Sequence, residues 1–183
     1  MNTSKVFEQN FSATKFWFES GKMTSGSRAN LDLSLSGING INGGVSLFGI
    51  CPGEIDKSGE SEEPLKLINI IYQGITYEQN PIVYPNPNIE NPNGTARLQI
   101  GGISSDGHKI TDIVGMKNSD EVGPLQGKII VFNRVNECTY TMDVFDYDNN
   151  IENFETQSMV VSCSATTTGK PRKNGRKFGV LEV

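Results

Sequence analysis

The stretch of residues 128–163 places the strongest constraint on the fold of this chain. It contains the apolar run KIIVFNRV, then CTYTMDVFDY, and then NFETQSMVVSC after a polar DNN segment. Two alternating runs with a turn signal between them are typical of a β-hairpin. The sequence therefore predicts a strand followed by a hairpin, with a four-residue loop at positions 149–152.

This loop fixes the register of the predicted hairpin, because side chains on a strand alternate between its two faces. Counting back from the loop pairs Cys138 with Cys163. The same register places Asp146 opposite Glu155, which is unfavourable unless the register slips or a cation or basic partner lies between them. It also forms an aromatic hairpin tip from Phe145, Tyr147 and Phe154. This tip is either a small second core or an exposed contact patch.

The rest of the chain has the same strand-rich pattern. Gly 20 and Pro 8, with Asn and Ser in short clusters, interrupt runs rich in Val, Ile, Leu, Thr and aromatic residues. Such spacing favours an all-β fold over βαβ units, and no convincing amphipathic helix is visible. The sequence predicts an antiparallel β-sandwich or jelly roll over residues 1–168. A projecting basic C-terminal hairpin is predicted over residues 169–183.

Alternation also predicts individual strands. Residues 14–19 place Phe16 and Phe18 on one face and Trp17, the only tryptophan, on the other. Trp17 is interpreted as a core anchor, with a ligand-stacking platform as the alternative. Further strands are predicted at 30–36, 44–51, 65–73, 74–78, 95–102 and 108–116. Four prolines within residues 80–94 predict an extended loop.

Charge and hydropathy argue against several functional classes. The net charge of -5 argues against a protein that coats nucleic acid. No apolar run reaches the roughly 18 residues of a transmembrane helix, and the N-terminus lacks the pattern of a secretory signal peptide. We therefore expect assembly in the cytoplasm and a final location in a virion or an extracellular particle.

Three cysteines are too few for a disulfide scaffold. In the predicted register, Cys138 and Cys163 either form a disulfide in an oxidising compartment or act as small buried hydrophobic residues. The third cysteine, Cys51, has no obvious partner.

The single histidine limits the catalytic chemistry that the chain can support. A Ser-His-Asp triad would have to use His108, which lies in a turn-like segment with Ser104, Ser105 and Asp106 and without a G-x-S-x-G elbow. A zinc site built from His108 and the cysteines lacks any C-x-x-C or H-x-x-x-H pair. We therefore expect no enzymatic activity. The alternative at this point is a hydrolase that uses carboxylates.

Carboxylates near the predicted hairpin loop form a candidate metal site. The run D-Y-D-N-N begins like an EF-hand loop, but Ile151 replaces the required glycine and Gln157 the bidentate glutamate. A looser calcium site needs only converging oxygen atoms. Its candidate ligands are Asp143, Asp146, Asp148 and Glu155. The simpler interpretation is a solvated hairpin end with no cofactor.

Opposite charges are concentrated in two segments. The charge arm carries five basic residues around the turn signal Asn174-Gly175: Lys170, Arg172, Lys173, Arg176 and Lys177. The acidic loop, residues 52–64, carries Glu54, Asp56, Glu60, Glu62 and Glu63. Complementary charge would steer copies together head to tail, or onto an acidic partner surface. The alternative is a solvated hairpin that only protects an edge strand.

These features predict a non-enzymatic structural or interaction subunit of a larger assembly. The specific candidates are a virion component (a capsid decoration, fibre or tail protein of a phage) and a filament subunit. The expected partners are copies of the chain itself or other subunits. The alternative is a glycan-binding module, with or without calcium, in which the Asp and Asn cluster and loop aromatic residues hold a sugar. The candidate aromatic residues are Trp17, Tyr77, Tyr84 and Tyr147.

Overall fold

The computed structural model describes residues 13–20, 30–34, 47–48, 64–83, 95–110, 125, 127–163 and 177–183. Strands predominate in this part of the chain, which confirms the all-β prediction. In chain order the elements are β1 (Lys15–Glu19), β2 (Asn30–Ser34), β3 (Pro64–Tyr72), β4 (Ile75–Val83), β5 (Thr95–Gln99), β6 (Lys128–Asn136), β7 (Thr139–Asp146), α1 (Tyr147–Gln157), β8 (Val160–Cys163) and β9 (Lys177–Glu182).

The strands form one continuous sheet in the order β2-β5-β4-β3-β7-β6-β1-β9-β8. Most neighbours are antiparallel, but β3 and β7 run parallel, with Ile70 beside Tyr140. The prediction of a purely antiparallel sheet was wrong at this pair, because the β6–β7 hairpin returns β7 alongside β3, where both strands bury apolar side chains. The finer prediction of a sandwich or jelly roll is not confirmed, since the described strands belong to a single sheet.

The sheet curls around one main core. Leu98 on β5 and Val180 on β9 belong to the same buried cluster, although they lie on strands far apart in the sheet. Aromatic rings fill the centre: Phe48 lies 4.8 Å from Phe16 and 5.3 Å from Phe132, measured between ring centroids. Because buried aromatic side chains carry much of the hydrophobic stabilisation, this cluster is the main support of the fold.

A second, smaller core lies on the opposite face of the sheet. Trp17, Ile129 and Val131 are buried there, and helix α1 packs against them. Phe16 and Phe18 point into the main core instead. The predicted alternation along β1 and the interpretation of Trp17 as a core anchor are therefore confirmed.

Residues 147–157 form helix α1 instead of a hairpin tip. Tyr147, Ile151 and Phe154 recur at helical spacing, and this half-buried face packs on the second core. The predicted hairpin and its loop were wrong, as was the expectation that no amphipathic helix exists. Burial of a helical apolar face outweighed the local Asn-Asn turn signal, since most helical stability in proteins comes from such packing.

The pairing register predicted for that hairpin was wrong for the same reason. Strand β7 pairs with β6 and β3, whereas β8 pairs with β9. Cys138 is an exposed free thiol in the β6–β7 turn, and Cys163 lies opposite Lys177. Three strands separate β7 from β8 in the sheet, so Cys138 and Cys163 are not cross-strand neighbours.

Two other segments differ from the sequence predictions. Strand β4 continues into the predicted Pro-rich loop, with Pro81 opposite Leu67, and residues 84–94 lie outside the described ranges. Leu47 and Phe48, from the predicted strand 44–51, are buried and belong to no strand, and the rest of that segment lies outside the described ranges.

The described end of the predicted C-terminal hairpin is an inner strand. Strand β9 pairs with β1 on one side and β8 on the other, and Phe178 is buried in the main core. Residues 177–182 are therefore part of the sheet itself. The proposed hairpin turn at Asn174-Gly175 lies outside the described residues, so a projecting hairpin is not confirmed.

Candidate functional site

Helix α1 and the strands beneath it hold most of the predicted site residues that the structure describes. The Trp17 ring lies 6.1 Å from the Phe154 ring, and its Nε1 donates a hydrogen bond to Ser158 Oγ at 2.8 Å. Ser158 caps the C-terminal end of α1, where its backbone N–H donates to Phe154 O at 3.1 Å. The buried indole therefore fixes the position of the helix on the sheet.

An open cleft of about 500 Å³ lies beside the first turn of α1. Its lining is mostly polar and comprises Glu19, Gly127, Lys128, Asp146, Tyr147, Asp148 and Asn149. Lys128 Nζ forms an ion pair with Asp146, and the Lys177 backbone N–H donates to Glu19 Oε2 at 3.0 Å. Burial raises the pKa of the Tyr147 hydroxyl, and the Glu19 carboxylate acts in the same direction.

The three residues of the predicted aromatic hairpin tip belong to two elements: Tyr147 and Phe154 lie on α1, and Phe145 lies on β7. Phe145 contacts Phe154 edge-on, with ring centroids 5.3 Å apart. Phe145 remains 38% exposed, whereas Tyr147 and Phe154 pack on the second core. The group therefore combines both interpretations given above: part of it is a small core, and part is exposed.

The four candidate calcium ligands are distributed along β7 and α1. Asp146 pairs with Lys128, and Glu155 Oε1 lies 2.5 Å from Lys177 Nζ, so the two carboxylates have separate lysine partners instead of facing each other. Asp143 and Asp148 are exposed. Across the ranges that the structure covers, no three His, Cys, Asp or Glu side chains form a group suited to a metal ion. Calcium binding stays a prediction.

Most residues of the two charged segments lie outside the described part of the chain. Of the charge arm, only Lys177 is described, and it lies at the start of β9 beside Glu155. The other four members, Lys170, Arg172, Lys173 and Arg176, lie outside the described residues. The whole acidic loop also lies outside them: Glu54, Asp56, Glu60, Glu62 and Glu63.

The segment around the single histidine forms a tight turn. Ser104 Oγ donates to Asp106 Oδ1 and also lies 3.0 Å from the His108 carbonyl oxygen, while His108 Nε2 is 3.8 Å from Asp106. The pKa of the Asp106 carboxyl lies below its usual value, mainly because the Ser104 hydroxyl donates a hydrogen bond to it. A nucleophilic serine needs its hydroxyl hydrogen-bonded to a base such as the imidazole. Here that hydroxyl is bonded to the aspartate and the backbone instead.

The aromatic residues named for glycan binding lie in different places. Trp17 and Tyr77 are both fully buried, so neither offers a stacking surface. Tyr84 lies outside the described residues, and Tyr147 lines the cleft. Tyr147 is therefore the one described member of that set that a ligand in the cleft would reach.

The edge of the sheet at β8 is an apolar feature that the sequence interpretation did not single out. Met159 is 65% exposed and Val161 39%. The Met159 N–H donates to Val180 O at 2.8 Å, which places it beside the last residues of β9. The signal in the sequence was the uncharged run from Ser158 to Gly169, whose first part, up to Cys163, was interpreted as the second strand of a hairpin.

No protein-family model matches this chain, and no curated protein matches it in sequence. In the part of the chain that the structure describes, no helix is long and apolar enough to cross a membrane.

Proposed function

We propose that this protein is a non-enzymatic structural or interaction subunit of a larger assembly. The specific candidates are a virion component, such as a capsid decoration, fibre or tail protein of a phage, and a filament subunit. The finer fold that we propose is a sandwich or jelly roll, which is compatible with a curled sheet whose distant strands share one core.

The observation that supports this proposal is the apolar sheet edge, which we define as β8 with Met159. Met159 is 65% exposed and Val161 39%, and the two lie two positions apart on this edge. Single exposed apolar side chains are normal on a protein surface, but their concentration at one site indicates a contact surface. A subunit that binds neighbouring subunits requires such a surface.

The first test is the mass of the purified protein in solution, measured by light scattering at low and at high salt. An oligomer or polymer supports the proposal. Reversing the charge of Lys173 and Arg176 by substitution with Glu separates the contribution of the charge arm to assembly from that of the apolar sheet edge. If the charge arm contributes, the variant assembles less, and the difference is larger at low salt because surface charges are screened over roughly 8 Å at physiological ionic strength. Equal assembly at every salt concentration removes the charge arm from the mechanism.

The cleft beside α1 favours a second function, a glycan-binding module. It combines Tyr147 with the polar side chains of Asp148 and Asn149 in one open recess of about 500 Å³. An aromatic face with nearby hydrogen-bonding groups is a common way to hold a polar ring. For both functions, we propose a location in a virion or an extracellular particle.

A glycan array tests this second function directly, with and without EDTA. The variant Asn149→Ala removes a cleft side chain, and Asn153→Ala is a matched control because it changes an exposed asparagine of the same helix outside the cleft lining. Saturable binding that Asn149→Ala weakens and Asn153→Ala leaves intact supports glycan recognition. Loss of binding with EDTA adds calcium. An array without binding leaves the assembly function alone.

A further inference from the structure

The hydrogen-bonding direction of β8 is set by its contact with β9. Val180 O accepts a hydrogen bond from the Met159 N–H, so the Val180 peptide groups face β8. Val160 lies opposite Val180 and therefore faces back toward β9. Because successive residues of an antiparallel strand direct their N–H and C=O groups to opposite sides, those of Val161 point away from β9.

Strand β8 has one hydrogen-bonded neighbour among the strands that the structure describes, namely β9. The outward N–H and C=O of Val161 thus lie at an edge of the sheet. Natural edge strands are usually protected by charged side chains, proline or bulges. Here residues 158–169 contain no charged residue and no proline, and Val161 exposes 39% of its surface. The edge has the properties of a strand that accepts another strand.

The second edge of the sheet differs in this respect. Strand β2 carries Asp32 at its centre, in register with Arg97 of β5. A charge at the middle of an edge strand discourages pairing with a further strand. The two edges are therefore not equivalent, and β8 is the one suited to strand addition.

We propose that β8 pairs with the β8 strand of a second copy of this chain, antiparallel, around a two-fold axis at Val161. This inference rests on the proposed assembly function and names its partner and contact. A two-fold axis makes the same patch face itself, which is the commonest arrangement in homo-oligomers. An uncharged strand meets its own copy without placing like charges opposite each other.

The pairing defines which residues meet across the axis. Val161 of one copy faces Val161 of the other, and the two residues exchange both backbone hydrogen bonds. Val160 then faces Ser162, and Met159 faces Cys163. The sheets of the two copies become one continuous sheet, and Met159 and Val161 each gain a cross-strand neighbour that contacts part of their exposed side chain.

Two substitutions at one position test the pairing. Val161→Pro removes the outward N–H but leaves the ladder to β9 intact, since prolines are tolerated at the open side of an edge strand. Val161→Lys keeps the N–H and places like charges opposite each other at the axis. Val135→Lys is the matched control, because Val135 is a 57% exposed valine near the β6–β7 turn. Circular dichroism and thermal melting establish that each variant folds.

Light scattering across a concentration series gives the result. We expect a dimer for the wild type and for Val135→Lys, and at least tenfold weaker self-association for both Val161 variants. Amide exchange of the wild type adds a readout without mutation. The Val161 amide is expected to exchange slowly at high protein concentration and quickly at low concentration, where the monomer dominates.

The outcomes separate this inference from the proposed function. An assembly that folded Val161→Pro and Val161→Lys variants leave unchanged overturns the β8 pairing and leaves the subunit function standing. A Val161 amide that is equally protected at all concentrations overturns the pairing too, even if the variants do not fold. A wild-type chain that is monomeric at every concentration and salt overturns both the pairing and self-assembly.

Discussion

Trp17 Nε1 donates a hydrogen bond to Ser158 Oγ at 2.8 Å, although 141 positions separate the two residues in the chain. Gly179 of β9 lies beneath this bond. A Cβ atom at Gly179 would lie 2.5 Å from Trp17 Nε1 and 2.8 Å from Ser158 Oγ. The missing side chain at Gly179 therefore lets the indole cross β9 and reach the C-terminal end of α1.

Gly179→Ala is expected to destabilise the protein by about 1–3 kcal/mol, the usual cost of overpacking a filled site. The added methyl group must displace either the indole ring or the end of α1. Urea unfolding monitored by circular dichroism measures this change. Gly101→Ala is the control, because a Cβ there meets nothing within 4 Å. An equal effect of both substitutions would contradict the packing argument.

Ser158→Ala is expected to cost about 1–3 kcal/mol, since it leaves the buried Trp17 N–H without its acceptor. Trp17 is the only tryptophan, so its fluorescence reports on this site without interference from another indole. We expect a shift of its emission together with the loss of stability. Thr156→Ala removes a hydroxyl from an exposed position of the same helix and serves as the comparison. Unchanged emission in Ser158→Ala would count against the hydrogen bond.

The turn between β3 and β4 offers a stabilising substitution. Gln73 and Gly74 have φ angles of 51° and 79°, the left-handed values of a two-residue hairpin turn. Glutamine is poorly suited to this conformation, and asparagine is preferred there. Gln73→Asn is expected to add roughly 0.5–1 kcal/mol to the free energy of unfolding, measured in urea.

Gly74→Ala provides the opposite check at the neighbouring position. No atom lies within 4 Å of the added Cβ, so any loss of stability comes from the backbone conformation alone. We expect a loss of about 1 kcal/mol. A neutral Gly74→Ala would mean that the turn relaxes to another conformation.

Tyr140 predicts a specific alkaline pH dependence. Its hydroxyl is buried and has no hydrogen-bond partner within the described residues, and burial raises its pKa from 10.0 to about 12. The folded state then holds the proton more tightly than the unfolded state. Its contribution is fully present below pH 10 and is lost as the pH rises toward 12, by roughly 3 kcal/mol in total.

Tyr140→Phe tests this contribution. The substitution removes the buried hydroxyl, so stability at pH 7 is expected to stay within about 1 kcal/mol of the wild type or to rise. The dependence of stability on pH between 10 and 12 becomes shallower. Urea unfolding at several alkaline pH values measures it. A slope identical to that of the wild type would show that Tyr140 ionises normally.

Strands with a clear local pattern were predictable from the sequence. Alternation along β1 identified both faces correctly, with Phe16 inward and Trp17 on the other side. Runs of β-branched and aromatic residues between turn signals correctly predicted that β3, β5, β6 and the start of β7 are strands. These features depend on neighbouring residues, so one sequence suffices to recognise them.

The candidate site was only partly predictable. Phe145 and Phe154 are in contact, but they lie on β7 and α1 instead of at a hairpin tip, and the candidate metal ligands are distributed along the same two elements. The spacing of Tyr147, Ile151 and Phe154 carried a helical signal that the Asn149-Asn150 turn signal obscured. Ser158 and Gly179 gave no local signal, because their importance arises only from contact with Trp17.

The sequence by itself determined the all-β class and the alternation of β1, because period-two alternation is written in adjacent residues. Only the tertiary structure decided the parallel contact of β3 with β7, the pairing of β8 with β9 and the helix between β7 and β8. These depend on contacts between residues far apart in the chain. Their free energy comes from shared burial, such as that of Phe154 on Trp17, which a local pattern cannot contain.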